Sequence, residues 1–256
     1  MIDDNQRRQD IAEALEKVRH RIHAAGAAAG RDLEAEPVTL IVVTKTYAAA
    51  DVVHLIDLGV RDLGENRDQE AAKKRAEVEA LRPDVEVTWH CVGQVQTNKA
   101  RSVATWADVV HSVDRPALID ALAAARARLI DREPLTVLLQ VTLEEQSPIS
   151  AESQQGGGSS TARAGAHPVE IADLAEQVHK HPSLALRGVM AVAPLTADPR
   201  EAFARLAGVS RSLAAQYPAA TWISAGMSGD LEQAIAQGAT HVRVGSAILG
   251  NRPFVG

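Results

Sequence analysis

The sequence contains one cysteine, Cys91, and few aromatic residues, which make up only 3% of the chain. A single cysteine excludes an intrachain disulfide and any metal site built from several cysteines. We therefore expect a protein of a reducing compartment, which makes the cytoplasm the expected location. Abundant alanine together with scarce aromatics favours helices that pack closely on a sheet.

Long apolar runs and blocks of basic residues are also missing. No stretch reaches the roughly 18 apolar residues of a membrane span. The opening segment MIDDNQRRQDIAEALEKVRHRI lacks the apolar core of a signal peptide. The net charge is -6, with acidic and basic residues interspersed and no basic stripe carrying aromatics. We expect neither a membrane nor a nucleic acid as a partner.

The sequence does contain a regular alternation of short apolar runs and amphipathic helical patterns. A first helix is predicted from Asp4 to about Ala28, because apolar residues recur every three or four positions between Ile11 and Ile22, and Gly30 can end it. The predicted strands after it are Val38–Thr44, Val60–Leu63, Val87–Val92, Asp108–Val113, Leu135–Thr142, Leu184–Val192, Thr221–Ala225 and His241–Val244. The predicted helices between and after them are Ala49–Leu58, Arg67–Leu81, Asn98–Trp106, Arg115–Asp131, Pro168–His179, Asp198–Tyr217, Asp230–Gln237 and a short last helix from Ser246.

Eight units of strand and helix predict the α/β class and a single (β/α)₈ TIM-type barrel with an extra N-terminal helix. Continuously apolar strands suit a parallel sheet that is covered on both faces. A doubly wound open sheet is the alternative, and the short run Val60–Leu63 is the weakest part of the count. We expect one domain over residues 1–256, with residues 1–30 as the N-terminal helix.

One segment, Glu144–His167, breaks this alternation. It is rich in Ser, Gly and Gln and has no period. The composition predicts a long flexible loop after strand five. A disordered surface insertion is the simpler interpretation, and a lid over a site at the strand ends is the alternative.

Polar residues cluster where the predicted strands end, which in barrels is where active groups lie. Lys45 follows strand one. The loops after strands seven and eight, in SAGMSGD and RVGSA, are rich in Gly and Ser and lead into helices, which suits an anionic group such as phosphate. A lysine in an apolar setting can form a Schiff base. Together these features suggest pyridoxal 5'-phosphate (PLP) as a cofactor.

Each of these residues also has a simpler structural interpretation. Lys45 can be a solvated lysine, and the glycines can be turn formers. His90 and His111 can be hydrogen-bonded core histidines, and Cys91 a small buried apolar residue. Further ligands at suitable spacing around His90 and Cys91 are missing, so no metal site is expected. Arg243, inside strand eight, must face solvent or reach a partner.

Five blocks of sequence then resemble one known family. They are VVTKTY, LGENRDQEAAKK, WHCVGQVQTNKA, RGVMAVAP and SAGMSGDLEQAIAQGATHVRVGSAILG, in this order from about Leu40 to Gly250. They resemble the motifs of the pyridoxal phosphate homeostasis protein family (YggS/PROSC-like). Thr142, Ala225 and Leu249 depart from the usual Asn, Met and Phe of that pattern. ARAG, with Arg163 and Gly165, takes the place of a short K-x-G.

The resemblance implies a barrel like the N-terminal domain of alanine racemase. Lys45 would hold PLP as a Schiff base, Asn66 and Met190 would line the ring pocket, and Arg243 would approach the pyridine nitrogen. The residues expected around the phosphate are Ser224, Gly226, Met227, Gly245 and Ser246.

The function implied is a PLP-binding protein that carries or buffers PLP and supports its intracellular homeostasis without robust turnover. An arginine near the ring nitrogen disfavours its protonation and weakens the ring as an electron sink. The chain also leaves no residues for the second domain that supplies a base in alanine racemases. We expect a monomer that passes PLP to apo-enzymes.

Two other functions remain open. One is a PLP-dependent amino-acid racemase of low efficiency, in which His90 and the long loop supply the missing base. The other is a PLP-independent phosphate-binding barrel enzyme, in which Lys45 pairs with an anionic substrate.

Overall fold

A computed structural model describes residues 3–144 and 165–250. Within them eight parallel strands form a closed barrel in consecutive order, and the eighth strand pairs with the first. The strands are β1 (Thr39–Val43), β2 (Asp62–Glu65), β3 (Thr88–Cys91), β4 (Val109–Val113), β5 (Leu135–Gln140), β6 (Leu184–Met190), β7 (Trp222–Ser224) and β8 (His241–Val244). Closure confirms the predicted (β/α)₈ barrel and excludes the open sheet.

The helices form an outer layer around the strands, and the first of them precedes the barrel as predicted. They are α1 (Asp4–Ala28), α2 (Ala49–Asp57), α3 (Asp68–Leu81), α4 (Ala100–Trp106), α5 (Pro116–Arg126), α6 (Ile171–His179), α7 (Pro199–Gln216), α8 (Leu231–Ala236) and α9 (Ser246–Leu249). Single 3₁₀ turns at Thr97–Lys99 and Pro168–Glu170 open α4 and α6. Among the described residues, no helix is long and apolar enough to cross a membrane.

The second strand begins two residues later than predicted. Val60, the first residue of the predicted run, belongs to the end of α2: its N–H donates to Leu55 O at 2.9 Å, and that of Gly59 to Ile56 O at 3.0 Å. Gly59 has φ of +85°, so this pair of bonds is the Schellman ending of a helix. The apolar side chain of Val60 therefore closes the helix, and β2 uses more polar residues.

The fifth helix ends five residues earlier than the predicted Arg115–Asp131. The Arg126 side chain is buried at the end of α5, where it donates to Glu133 O at 2.8 Å and to Ala104 O at 2.7 Å. These bonds tie the segment around Glu133 to the end of α5 and to α4, which contains Ala104. The chain therefore turns after Arg126 and does not continue as α5.

The segment predicted as a long loop lies mostly outside the described residues, which omit positions 145–164. Its two ends are described, and they meet. Thr142 N donates to Ala166 O at 2.9 Å, and Ala166 N donates to Gln140 O at 2.8 Å. The chain therefore leaves β5 and returns beside the same strand end.

The core has two parts. The larger fills the space between strands and helices and includes Trp89, Leu55 and Phe203. The smaller lies inside the barrel, where Met190 packs with Val109 and Leu138. Polar residues share the buried set, among them His90, His111, Ser224, His241 and Arg243. The barrel interior therefore contains both apolar and polar side chains.

Candidate functional site

A cavity of about 650 Å³ opens where β1, β7 and β8 end. Its volume lies in the usual range for small-molecule sites. The residues that line it are Val43, Lys45, Tyr47, Met227, Ser228, Gly229, Arg243, Gly245, Ser246 and Gly250. One lysine, one arginine and two Gly/Ser-rich loops thus share one cavity, as the strand-tip argument predicts.

Lys45 follows β1, and a buried ion pair between Lys74 and Glu65 supports the end of the strand just before it, an arrangement called the brace below. Lys74 Nζ donates to Glu65 Oε1 at 2.6 Å and to Thr44 O at 2.8 Å. Thr44 Oγ1 donates to the same Glu65 oxygen at 2.6 Å. Burial raises the pKa of Glu65, against the opposing effect of Lys74. The brace ties the end of β1 to β2 and α3, and so positions the residue that follows.

The backbone bends sharply just after Lys45. Thr46 has φ of +70°, a left-handed conformation that a β-branched residue rarely adopts. Its N–H donates to Glu70 Oε1 at 2.5 Å, and Glu70 also pairs with Lys74 at 3.2 Å. Such strain is characteristic of functional positions, because surrounding contacts must hold it in place. The contact with α3 turns the chain into the cavity.

The loop after β7 forms one wall of the cavity. Gly226 has φ of +91°, and a Cβ there would lie 2.7 Å from Ala234 Cβ, so the turn requires glycine. Met227 N donates to Asp230 Oδ1 at 2.6 Å, which ties the loop to the start of α8. The amide of Met227 therefore serves the turn. Ser246 begins α9 on the other wall, where N–H groups have no acceptor within the helix.

Arg243 carries the positive charge at the cavity floor. Its Nη1 donates to Ser224 Oγ at 2.6 Å, and its Nη2 donates to Ala191 O at 2.9 Å. Burial lowers the pKa of Arg243 to about 10, partly offset by Asp230. The guanidinium is therefore still protonated at neutral pH and faces the cavity as a cation.

Four residues predicted for the site are not among the residues that line this cavity. Ser224 lies behind Arg243 as its hydrogen-bond partner, and Gly226 accepts the N–H of Arg243 at 2.9 Å. Met190 is 2% exposed within the barrel core. Asn66 is half-buried at the end of β2, where its backbone lies against Gly93.

Tyr47 and Ser228 line the cavity but are not among the predicted residues. Tyr47 is buried, and its hydroxyl donates to Gly250 O at 2.7 Å. Tyr47 lies only two residues after Lys45, and this short spacing could have indicated from the sequence that it lies near the site. Ser228 lies in the Gly/Ser-rich loop SAGMSGD, directly after Met227, which was predicted for the site.

The two histidines singled out from sequence lie inside the barrel. His90 Nδ1 lies 2.9 Å from His111 Nε2, and both rings have a second partner. This confirms the interpretation of His111 as a hydrogen-bonded core histidine. Cys91 is also buried, which raises the pKa of its thiol to about 12. Among the described residues, no cluster of His, Cys, Asp and Glu could hold a metal ion.

The donor set of the cavity fits one kind of small molecule. A primary amine can attack an aldehyde, a buried guanidinium can donate a hydrogen bond to a ring nitrogen or oxygen, and amide-rich loops suit a phosphate. The cavity therefore suits a phosphorylated aldehyde with a hydrogen-bonding ring.

The chain is similar in sequence to proteins of one known family. Residues 14–253 match the family model described as alanine racemase, N-terminal domain. A Mycobacterium tuberculosis relative, named pyridoxal phosphate homeostasis protein, is 40% identical over 96% of this chain and 94% of its own length.

Two solved structures are similar over most of the chain. PipY of Synechococcus elongatus, solved with PLP bound, is 31% identical with a TM-score of 0.73, over 94% of this chain and 100% of that one. Alanine racemase from Corynebacterium glutamicum is 15% identical with a TM-score of 0.61, over 97% of this chain and 62% of that one, and shows the fold alone.

Proposed function

The chain belongs to the alanine racemase N-terminal domain family and, within it, to the pyridoxal phosphate homeostasis proteins, and from that membership we propose that it binds PLP in the described cavity. Its role in the cell is then to carry and buffer PLP and to support its homeostasis. The relatives' name and the PLP bound to PipY support this role.

The observation that carries the proposal is the cavity that Lys45 and Arg243 share with the two Gly/Ser-rich loops. When bound, PLP supplies an aldehyde that condenses with a primary amine, and an electron-withdrawing pyridine ring. Lys45 provides the amine. Arg243 faces the ring nitrogen, and the loops that contain Met227, Gly245 and Ser246 surround the phosphate.

The remaining predicted residues have supporting roles in this proposal. Ser224 accepts a hydrogen bond from the Arg243 side chain, and Gly226 O accepts one from the Arg243 N–H. Both residues therefore support the loop after β7 and affect the phosphate site indirectly. Asn66 lies at the mouth of the barrel and Met190 in its core, and in this proposal both lie next to the PLP ring. Their roles are tested by the PLP affinity of their alanine variants.

The charge of Arg243 favours holding PLP over using it. A guanidinium beside a pyridine nitrogen disfavours its protonation, and an unprotonated ring withdraws electrons less strongly. Arg243 has a pKa of about 10, so it keeps that charge through the neutral range. We propose slow or no turnover, transfer of PLP to apo-enzymes, a monomeric state and a cytoplasmic location as parts of the same function.

The deciding experiment is to load the purified protein with PLP, record its visible spectrum, reduce it with borohydride and map the modified peptide. We expect a visible band and a phosphopyridoxyl group on Lys45, both lost in Lys45→Ala. Lys73→Ala is the matched control, because Lys73 is an exposed lysine on α3 that pairs with Glu77. A label on other lysines, or no band at all, would refute the assignment.

One observation favours a second function, a racemase of low efficiency. Racemisation needs a base on each face of the substrate, and Tyr47 lines the same cavity as Lys45. Its hydroxyl donates to Gly250 O, so a proton transfer would have to break that bond. His90, the base considered from sequence, has both ring nitrogens engaged inside the barrel and does not line this cavity.

A further inference from the structure

A chain of hydrogen bonds runs through the barrel interior from Arg243 at the cavity floor to Asp62, the first residue of β2. Arg243 Nη1 lies 2.6 Å from Ser224 Oγ, which lies 2.9 Å from His111 Nδ1. His111 Nε2 then lies 2.9 Å from His90 Nδ1, and His90 Nε2 lies 3.0 Å from Asp62 Oδ1. The five side chains come from β8, β7, β4, β3 and β2, and are called the interior relay below.

The two ends of the interior relay fix the direction of every bond in it. A guanidinium can only donate, and an ionised carboxylate can only accept. Because Asp62 accepts from His90 Nε2, a neutral His90 must accept at Nδ1 from His111 Nε2. His111 then accepts at Nδ1 from the Ser224 hydroxyl, whose oxygen accepts from Arg243. Each group has its partner when both rings are neutral. Protonating His90 would place its Nδ1–H against the Nε2–H of His111, and protonating His111 would deprive the Ser224 hydroxyl of its acceptor.

The surroundings favour the neutral form of His111. His111 is fully buried, and burial with nearby His90 and Arg243 holds its pKa well below the usual range. His241, on β8, also faces this interior, and Asp230 is the acidic group that acts on Arg243. Asp62 lies at the first position of β2 and is partly exposed, so its charge is solvated there.

We propose that Asp62, His90 and His111 are positioning residues for Arg243, acting through Ser224. Asp62 sets the tautomers of both histidines, the histidines keep the Ser224 hydroxyl turned away from the guanidinium, and its oxygen is left to anchor Arg243 Nη1. The guanidinium is thereby held in one orientation at the cavity floor. That the positioned group is a PLP ring rests on the function proposed above.

The first test needs no ligand. Nitrogen-15 NMR of the imidazole rings, in the PLP-free protein at neutral pH, reports which nitrogen carries the proton. We expect both His90 and His111 to be neutral, with the proton on Nε2. A proton on Nδ1 of either ring, or a doubly protonated ring, would overturn the direction and with it the proposal.

The second test asks whether a change at one end reaches the other. Asp62→Asn removes the charge that orders the chain, and we expect the ring-nitrogen resonances of His111 to shift although Asp62 touches only His90. Ser224→Ala is the companion at the other end and should move the resonances of His90. Asp120→Asn, which neutralises the carboxylate of a surface His–Asp pair outside the barrel (Asp120 Oδ1 to His181 Nε2, 3.1 Å), should alter neither. Resonances of the distant histidine that stay at their wild-type positions would refute the coupling.

The third test measures PLP affinity and separates the two proposals. Loss of one ordered hydrogen bond corresponds to about fivefold weaker binding, so we expect about this loss in Asp62→Asn and none in the surface variant Asp120→Asn. Wild-type affinity in Asp62→Asn would refute positioning of the bound ring. If the wild-type protein does not bind PLP, the proposed function fails, and the NMR tests still decide the relay.

Discussion

His241 is an imidazole inside the barrel whose burial makes the stability of the fold depend on pH. Its side chain stacks on Trp222 with ring centres 4.2 Å apart, and its Nδ1 lies 2.7 Å from Thr240 Oγ1. Burial, reinforced by the neighbouring His90, lowers the pKa of His241 from 6.5 to about 3. The folded protein therefore keeps this ring neutral at pH values where the unfolded chain protonates it.

The magnitude follows from proton linkage. Between pH 7 and pH 5 the unfolded state gains about 0.7 of a proton at this position and the folded state gains almost none. The free energy of unfolding therefore falls by about 2 kcal/mol from His241 alone. The loss begins as pH drops below the unfolded value of 6.5 and stops once pH passes about 3. His111 acts in the same direction, because its pKa is also lowered by burial.

Urea unfolding of the wild type and of His241→Phe at pH 7, 6 and 5 tests this. Phenylalanine keeps a ring against Trp222, and Thr240 Oγ1 retains Ile223 O as a nearby acceptor at 3.4 Å. The variant's stability can differ at every pH, so only the change with pH counts. We expect the variant to lose about 2 kcal/mol less than the wild type between pH 7 and 5. Parallel pH curves for the two proteins would refute the reasoning.

Three further predictions concern the residues around the cavity. Lys74→Met leaves the Glu65 carboxylate buried without its partner and should lower the free energy of unfolding, measured in urea, by about 3–5 kcal/mol. The double variant Lys74→Met/Glu65→Leu should restore most of this loss. A loss below about 1 kcal/mol in Lys74→Met would contradict the brace. Gly226→Ala should cost at least about 1–3 kcal/mol, whereas Gly229→Ala, where a Cβ meets open space, should not; equal losses would contradict the argument from φ. For the protein with PLP bound, we expect deuterium exchange at Cα of alanine to stay near background. Exchange clearly above background that falls about 100-fold in Tyr47→Phe would instead favour the racemase.

Much of the fold could be predicted because the barrel strands are short, apolar and separated by helices with clear periods. The bounds of α1 and β8 agree with the predicted ones. Val60 shows where that reasoning stops: an apolar residue after a helix suits a strand and a Schellman ending equally well. The choice depends on the hydrogen bond to Leu55, which no composition pattern encodes.

The candidate site divides in a similar way. Lys45, Met227, Arg243, Gly245 and Ser246 could be placed together from sequence, because all follow or end strands at the same mouth of a barrel. The interior relay could not be predicted, since its central bond, from Ser224 on β7 to His111 on β4, joins strands that are not neighbours in the sheet. Which inward-facing side chains meet across a barrel depends on strand tilt and register, and neither is written in the local pattern.

The distribution of groups around the cavity bears on whether the protein uses a bound aldehyde or only holds it. Of the described residues that line the cavity, the ionisable ones are Lys45, Tyr47 and Arg243, and all follow or belong to β1 and β8. Lys45 is needed for attachment, Tyr47 donates its proton to a backbone carbonyl, and Arg243 opposes protonation of a ring nitrogen. An enzyme that moves protons at Cα needs an acid and a base free to exchange them. In the proposed function the same three groups attach, orient and release a phosphorylated aldehyde, and this is the reason why we propose storage of the cofactor over turnover.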